Sequence, residues 1–557
     1  MNKSFYLDLM ETTLSAYSIE HIDRYYNDVK RNGLKEHGFP RLAANIGILM
    51  AHGKRLDLKD RFIRMMDLCC QQIPKVLAAN DFSVKEIIFC LEELERTEVI
   101  APEKLKAWND LLRTIDPYSC YNEYAKDENT VVYNWAAFTM VSEFMRQKKG
   151  LADSYADFID LQAYSQLRHL DKNKMYRDPN EPMVYEFVTR GLFAVLLYEG
   201  YQGKYQKEWQ DVLDATALPT FNMLSVTGEM PYGGRSNQFL HNESHVALMM
   251  EYYASRFARK GEMEMAGKFR AAAVRAQEHI ASWLALKPIS HVKNRFPIES
   301  KYGCEEYAYF DKYMITAASF LYVAYRFCDD SIPVGELDDR TGMTWQTSDH
   351  FHKLFFRAGD YFAEYDYKAD FHYDCNGLGR LHKKGIPSEL CISAPCPMNP
   401  SYAVDLKKPY HLSISPCVFS DGKWNYGTMK KVRHTVKTHQ AAGETASAEI
   451  ETVFPNGKKL LTSYTLDKNG MKIKTTGADT LRCLLPVFRF NGKDHTQVTL
   501  NGNVLEVKFN GAVCRYTVIN GNILDLKRPA RNRNGHYDTF AAEGGDGLTV
   551  QITLEKL

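Results

Sequence analysis

Residues 230–245 read MPYGGRSNQFLHNESH, with an arginine, two asparagines, two histidines and a glutamate behind a Gly-Gly pair. Histidine takes or gives a proton near neutral pH, an amide steadies developing negative charge, and arginine clamps an anion with parallel N–H groups. Read as a helix capped by Ser236, the run puts Asn237, His241 and His245 four apart on one face. Arg235 then stands at its mouth, with Tyr232 and Asn242 beside it. The plainer alternative is a capped helix with a wet face. The histidine pair copies the spacing of the zinc motif His-Glu-x-x-His, but Glu243 stands one place late and no third ligand accompanies it.

Three further stretches carry chemistry. KYGCEEYAYFDKY, residues 301–313, sets Tyr302, Tyr307, Tyr309 and Tyr313 beside Glu305, Glu306 and Asp311. A tyrosine there can act as an acid, or as a base where a cation lowers its pKa; equally, the four could be interface residues with wet hydroxyls. YNWAAF, residues 133–138, opens a helix on Asn134 and Trp135, a pair suited to stacking a sugar ring and bonding its substituents, or to core packing. In ADFHYDCNGLGRLHKKG, residues 369–385, alternation puts His372 and Asp374 on one side of a strand. They face a cleft or, helped by Cys391 or His411, bind a structural zinc; no other cofactor is required. Arg380 and His382 follow in what reads as a basic hairpin fit for an anionic sugar.

Two kinds of element must position these residues. Up to about residue 330, apolar residues recur at three and four, as in RLAANIGILMAHG, EFVTRGLFAVLLYEGY and YFDKYMITAASFLYVAYRF, with breaks at Gly150, Gly200 and Gly261. About a dozen successive helices without strands imply antiparallel helical hairpins, and the lack of a clean repeat favours a closed α/α toroid over a solenoid. From HKLFFRAGDYFAEYDYKADFHYD onward the period is two, punctuated by Asn456-Gly457, Asn469-Gly470, Asn501-Gly502, Asn510-Gly511 and Asn520-Gly521. The expected architecture is α+β, with a toroid over 1–340 and an antiparallel β-sandwich over 341–557.

Composition narrows the partners. The 557 residues balance 70 Lys+Arg against 69 Asp+Glu, so charge points to neither nucleic acid nor membrane. Aromatics reach 12%, as where sugar rings are stacked. Twelve cysteines without regular spacing read as buried small hydrophobes, not a disulfide framework. MNKSFYLDLMETTLSAYS lacks the apolar core of a secretory leader, so the expectation is a cytoplasmic protein, or a periplasmic one whose leader has been removed. Self-association into a homo-oligomer is compatible with all of this.

This domain order and these residues resemble the polysaccharide lyases of the heparinase II/III and alginate lyase type, which cleave uronic-acid glycans by β-elimination. The resemblance implies a cleft between the domains and a catalytic set of an amide, a helix histidine, a tyrosine some 50 to 60 residues on, and a histidine from the β-domain. Asn237, His241 and His245 would supply the first two. Tyr302, 61 residues beyond His241 and 57 beyond His245, would be the tyrosine, with Tyr307 the other choice. His372 would be the β-domain histidine, although FHYDC stands where the group carries His-x-His-Ala-Asp. Arg235, Tyr232, Asn242, Asn134, Trp135, Tyr307 and Arg380 would bind an anionic glycan. Two alternatives remain: a glycoside hydrolase on the same toroid, drawing paired carboxylates from Glu243, Glu305, Glu306 and Asp311, and a non-catalytic glycan-binding protein.

Overall fold

A computed structural model describes residues 1–557. Six helices, Gly38–Ala51, Val84–Leu94, Asn134–Lys148, Met183–Tyr198, His241–Arg259 and Phe310–Phe327, each pack on the next, and the last packs on the first. This closes a ring. The helices Lys59–Gln72, Ala156–Leu167, Gln206–Asn222 and Met263–Leu284 lie outside it as hairpin partners. An inner helix has protein on every side, so its sequence is apolar all round: in Gly38–Ala51 every residue but the last is buried. The more peripheral helix Ile19–Asn32 buries only Ile22 and Val29. Gly150, Gly200 and Gly261, each at positive φ, end three of the helices as left-handed caps.

Strands begin at Met343 and are antiparallel throughout. An eight-stranded sheet is faced by a five-stranded and a four-stranded sheet around one apolar core that includes Leu354, Phe356, Ile450, Leu485, Phe540 and Ile552. The α/α toroid followed by an antiparallel β-sandwich is therefore the observed architecture. Four of the Asn-Gly pairs turn hairpins between neighbouring strands; Asn520-Gly521 instead carries the chain from the eight-stranded sheet to the five-stranded one.

The four-stranded sheet joins the two halves. Its strands are Met343–Gln346, Lys353–Ala358, Tyr361–Asp366 and Gly377–Lys383, paired in chain order. Alternation splits them between two cores: Leu354 and Phe356 enter the sandwich, while Phe355 and Phe362 enter the helical core. The same helix-facing side carries Lys353, Glu364, Asp366, Arg380 and His382, all buried.

Two local expectations are corrected. The strand expected to reach His372 ends at Asp366, because Asp370 nucleates a turn: its carboxylate accepts the His372 N–H at 3.0 Å and its carbonyl the Asp374 N–H at 2.7 Å. The helix expected to start at Ser236 starts at His241, since Ser236 and Gln238 both adopt left-handed φ, at 58° and 62°. Asn237 is thereby off the helix.

Candidate active site

A cavity of about 290 Å³ opens inside the ring, near the lower end of the range for small-molecule sites, about 300 Å³ upward. Its wall is built where inner helices begin. Asn134 and His241 are first residues of their helices, and Val184, Lys312 and Arg41 lie within the first turn of theirs. Five positive helix ends therefore converge on one space, which favours an anion there. His37, Trp135, Tyr185, Arg235, His245, Tyr307, Tyr313 and Thr316 add to the lining, with Phe82, Phe138 and Phe320 as its apolar floor. None of the eighteen lining residues is Asp or Glu.

His241 and His245 stand one turn apart, ring centroids 5.8 Å from each other, and His241 meets the Tyr313 ring edge-on at 5.2 Å. The His241 Nδ1 and both His245 nitrogens are buried with no hydrogen-bond partner. Burial, with Arg41 nearby, pulls the His241 pKa down to about 3 and His245 well below its usual range, so both are neutral at pH 7. Burial pushes the Tyr307 and Tyr313 hydroxyls far up, so both keep their protons. The Ser236 hydroxyl holds them at 3.0 and 3.4 Å, together with Tyr185 at 3.1 Å.

The cations differ in how they are held. Arg41 donates to Glu86 at 2.8 Å and to Thr316 at 2.8 Å. Arg235 is ion-paired to Asp178 and lies 4.6 Å over the Tyr185 ring. Lys312 packs over the Tyr309 ring at 4.6 Å without a carboxylate in salt-bridge range, and burial lowers its pKa. Trp135 meets Phe82 edge-on at 4.5 Å with its indole half-exposed to the cavity mouth.

Of the residues singled out in the sequence, Asn134, Trp135, Arg235, His241, His245, Tyr307 and Tyr313 come together at this cavity. The others do not. Tyr302 turns the opposite way, because Lys301 and Gly303 flank it with left-handed φ; its ring stacks on Phe296 at 3.7 Å and its hydroxyl donates to the Gly535 carbonyl at 3.1 Å. Asn237 spends its amide on the Pro231 carbonyl and the Gln238 side chain, at 3.3 and 2.9 Å. Asn242 braces the helix entry, accepting from the Phe239 N–H at 2.9 Å and donating to the Ser236 carbonyl at 3.1 Å. His372 is exposed on its turn, whereas Asp374 is buried and accepts the Gly234 N–H at 2.9 Å; the two form no metal-ligand group.

Tyr232 and Arg380 belong to a buried ionic network at the domain joint. Lys293 bridges Glu229 and Glu243, 2.9 Å from each. Arg380 lies 3.4 Å from Glu364, Lys353 bonds Glu364 and Asp366 at 3.1 and 3.0 Å, and Tyr232 lies under Lys353 at 3.7 Å. His352 ends the chain between Asp366 and Glu181. Glu229, Glu243 and His279 have the spacing of a metal-ligand group, but the Lys293 ammonium already occupies their centre. The carboxylates proposed for a hydrolase are likewise engaged or turned away: Glu243 by Lys293, Glu305 by Arg533, Asp311 by His21, while Glu306 faces solvent.

Sequence reasoning missed His37, Arg41, Tyr185 and Lys312 as wall residues. The one signal available was a polar group at the entry of an otherwise apolar helix, as in EHGFPRLAANIGILMA.

The sequence matches no protein-family model and no curated relative. Among solved structures, a mutant of the heparan sulfate lyase HepC from Pedobacter heparinus is similar over 93% of this chain and 76% of its own, at 8% identity and a TM-score of 0.47. A chondroitin AC lyase mutant of Streptomyces coelicolor A3 is similar over 100% and 79%, at 10% identity and a TM-score of 0.40. A β-arabinofuranosidase is similar over 99% and 93%, at 10% identity and a TM-score of 0.37.

Proposed function

We propose that this cavity cleaves a uronic-acid-containing oligo- or polysaccharide by β-elimination. The observation that carries the reading is the composition of the wall: neutral histidines, protonated tyrosines and cations at converging helix ends, without a carboxylate. Lys312, helped by Asn134 and Arg235, meets the substrate carboxylate and spreads the charge that builds when the C5 proton leaves. His241 takes that proton. The incoming carboxylate raises the histidine's low pKa toward a working value, since an adjacent negative charge favours imidazolium.

The electron pair of the C5–H bond becomes the C4=C5 double bond and the C4–O bond breaks. Tyr313 or Tyr307 gives its proton to the departing oxygen, and the imidazolium of His241, in ring contact with Tyr313, returns a proton to the tyrosinate. Trp135 at the mouth offers a stacking face for a sugar ring. A hydrolase of the usual kind needs two carboxyl groups about 5–10 Å apart across the scissile bond, and the wall supplies none.

The test is incubation with a panel of uronic-acid glycans while following the ultraviolet absorbance of the conjugated C4=C5 product. A rise that Tyr313→Phe and His241→Gln abolish supports the reading; chain cleavage without the rise contradicts it.

A further inference from the structure

Every residue of the cavity wall lies between His37 and Phe320, so the sandwich contributes none of them. One hairpin of the sandwich nevertheless reaches the wall through a chain of bonds. Arg533, at the turn between the strands Asn522–Asn532 and Gly535–Gly544, forks onto Glu305 with 2.8 and 2.6 Å bonds. The same Glu305 oxygen that accepts Nη2 of Arg533 accepts the Ser236 N–H at 2.6 Å. Ser236 in turn presents its hydroxyl to Tyr185, Tyr307 and Tyr313. Arg533, Glu305 and Ser236 are all at least nine-tenths buried.

We propose that the 532–535 hairpin is a positioning device that fixes the acid tyrosines through Arg533, Glu305 and Ser236; this rests on the elimination reading above. A left-handed φ of 58° at a serine is strained, and the Glu305 carboxylate gripping its N–H is what holds it there. That backbone sets where Oγ points. One hydroxyl has one proton to donate and two lone pairs, so three tyrosines share it only while it stays at their centre. The hairpin itself is clamped: Asn294 Nδ2 donates to the Arg533 carbonyl at 2.8 Å, Asn534 Nδ2 to the Lys293 carbonyl at 2.8 Å, and Arg533 also donates to the Gly303 carbonyl at 2.6 Å. Lysine at 533 would keep the charge and lose the fork.

The experiment compares the full chain with Arg533→Lys, Arg533→Ala and Glu305→Gln in two readouts: amide hydrogen exchange across residues 232–240, and kcat against KM on the best glycan of the panel. The expected result is faster exchange in that segment, a kcat lower by about tenfold or more with KM nearly unchanged, and partial recovery in Arg533→Lys relative to Arg533→Ala. Should Arg533→Ala fail to fold, Glu305→Gln, which keeps shape and removes charge, carries the test. Unchanged exchange, or faster exchange with kcat within about twofold of the parent, overturns the proposal. If the parent turns over no glycan, the elimination reading has failed and the exchange data alone decide whether the hairpin holds Ser236.

Discussion

The cavity and the ionic network at the domain joint are both buried and both polar, yet they are built on opposite rules. In the network every charge has an opposite neighbour: Lys293 with Glu229 and Glu243, Lys353 with Glu364 and Asp366, His352 with Asp366 and Glu181. Single atoms are left over there, such as Arg380 Nη2, Glu243 Oε2 and the Tyr232 hydroxyl, but no charged group lacks a partner. In the cavity, His245 has no polar partner at all and Lys312 has no carboxylate in salt-bridge range. Burial of polar groups therefore does not by itself mark a site in this protein; the network spends its charges on one another, whereas the cavity leaves polar atoms open to a ligand.

The sharpest way to break the contrast is to cut the network. Lys293→Met leaves two carboxylates facing each other in the interior, and the expected loss of stability is about 3–5 kcal/mol, read as a shift in denaturant midpoint. A loss below about 1 kcal/mol would mean the paired charges of the network carry little of the stability. In the cavity the pattern reverses. His241→Gln is expected to lower kcat/KM by about 10²–10³ while stability changes by less than about 1 kcal/mol, since no bond of His241 is broken.

Acid and alkali pull the two regions apart. His241 falls to about 3 on burial, and His291, which packs near the Phe239 ring just outside the cavity wall, falls to about 4, both below an unfolded value near 6.5. Between those values the unfolded chain binds the extra protons, so each such histidine costs about 1.4 kcal/mol of stability per pH unit as pH falls from 6.5 toward 4. His352 runs the other way: burial lowers it, but Asp366 and Glu181 together hold it up to about 9. Its contribution is fully present below 6.5 and is lost as pH rises through 9. Denaturant midpoints taken from pH 4 to 10 should fall at both ends, with His352→Gln flattening the alkaline side alone. The smallest expected effect is at Tyr302. Tyr302→Phe removes one bond to a carbonyl, so stability should fall by about 1 kcal/mol with catalysis unchanged; a large loss of kcat would return Tyr302 to the chemistry.

The change from a period of three and four to a period of two, and the Asn-Gly pairs, make the architecture legible in the chain itself, because periodicity is what burial on one side of a helix or strand imposes. The cavity is legible only where polar residues are dense along the chain, at 133–135, 235–245 and 301–313. His37, Arg41 and Tyr185 stand singly at the entries of otherwise apolar helices, and they meet Lys312, from the last of those dense stretches, only when the ring closes. Tyr302 shows the converse: its distance along the chain from His241 carries no information about direction, which the left-handed turn at Lys301 and Gly303 decides. Tyr307 and Tyr313, five and eleven positions on, face the cavity instead.

The most direct measurement is the mass of the products formed from a defined uronic-acid oligosaccharide in oxygen-labelled water. Elimination adds no water, so the two product masses should sum to that of the substrate, with no label in either fragment. A sum larger by one water, carrying the label, would contradict the account.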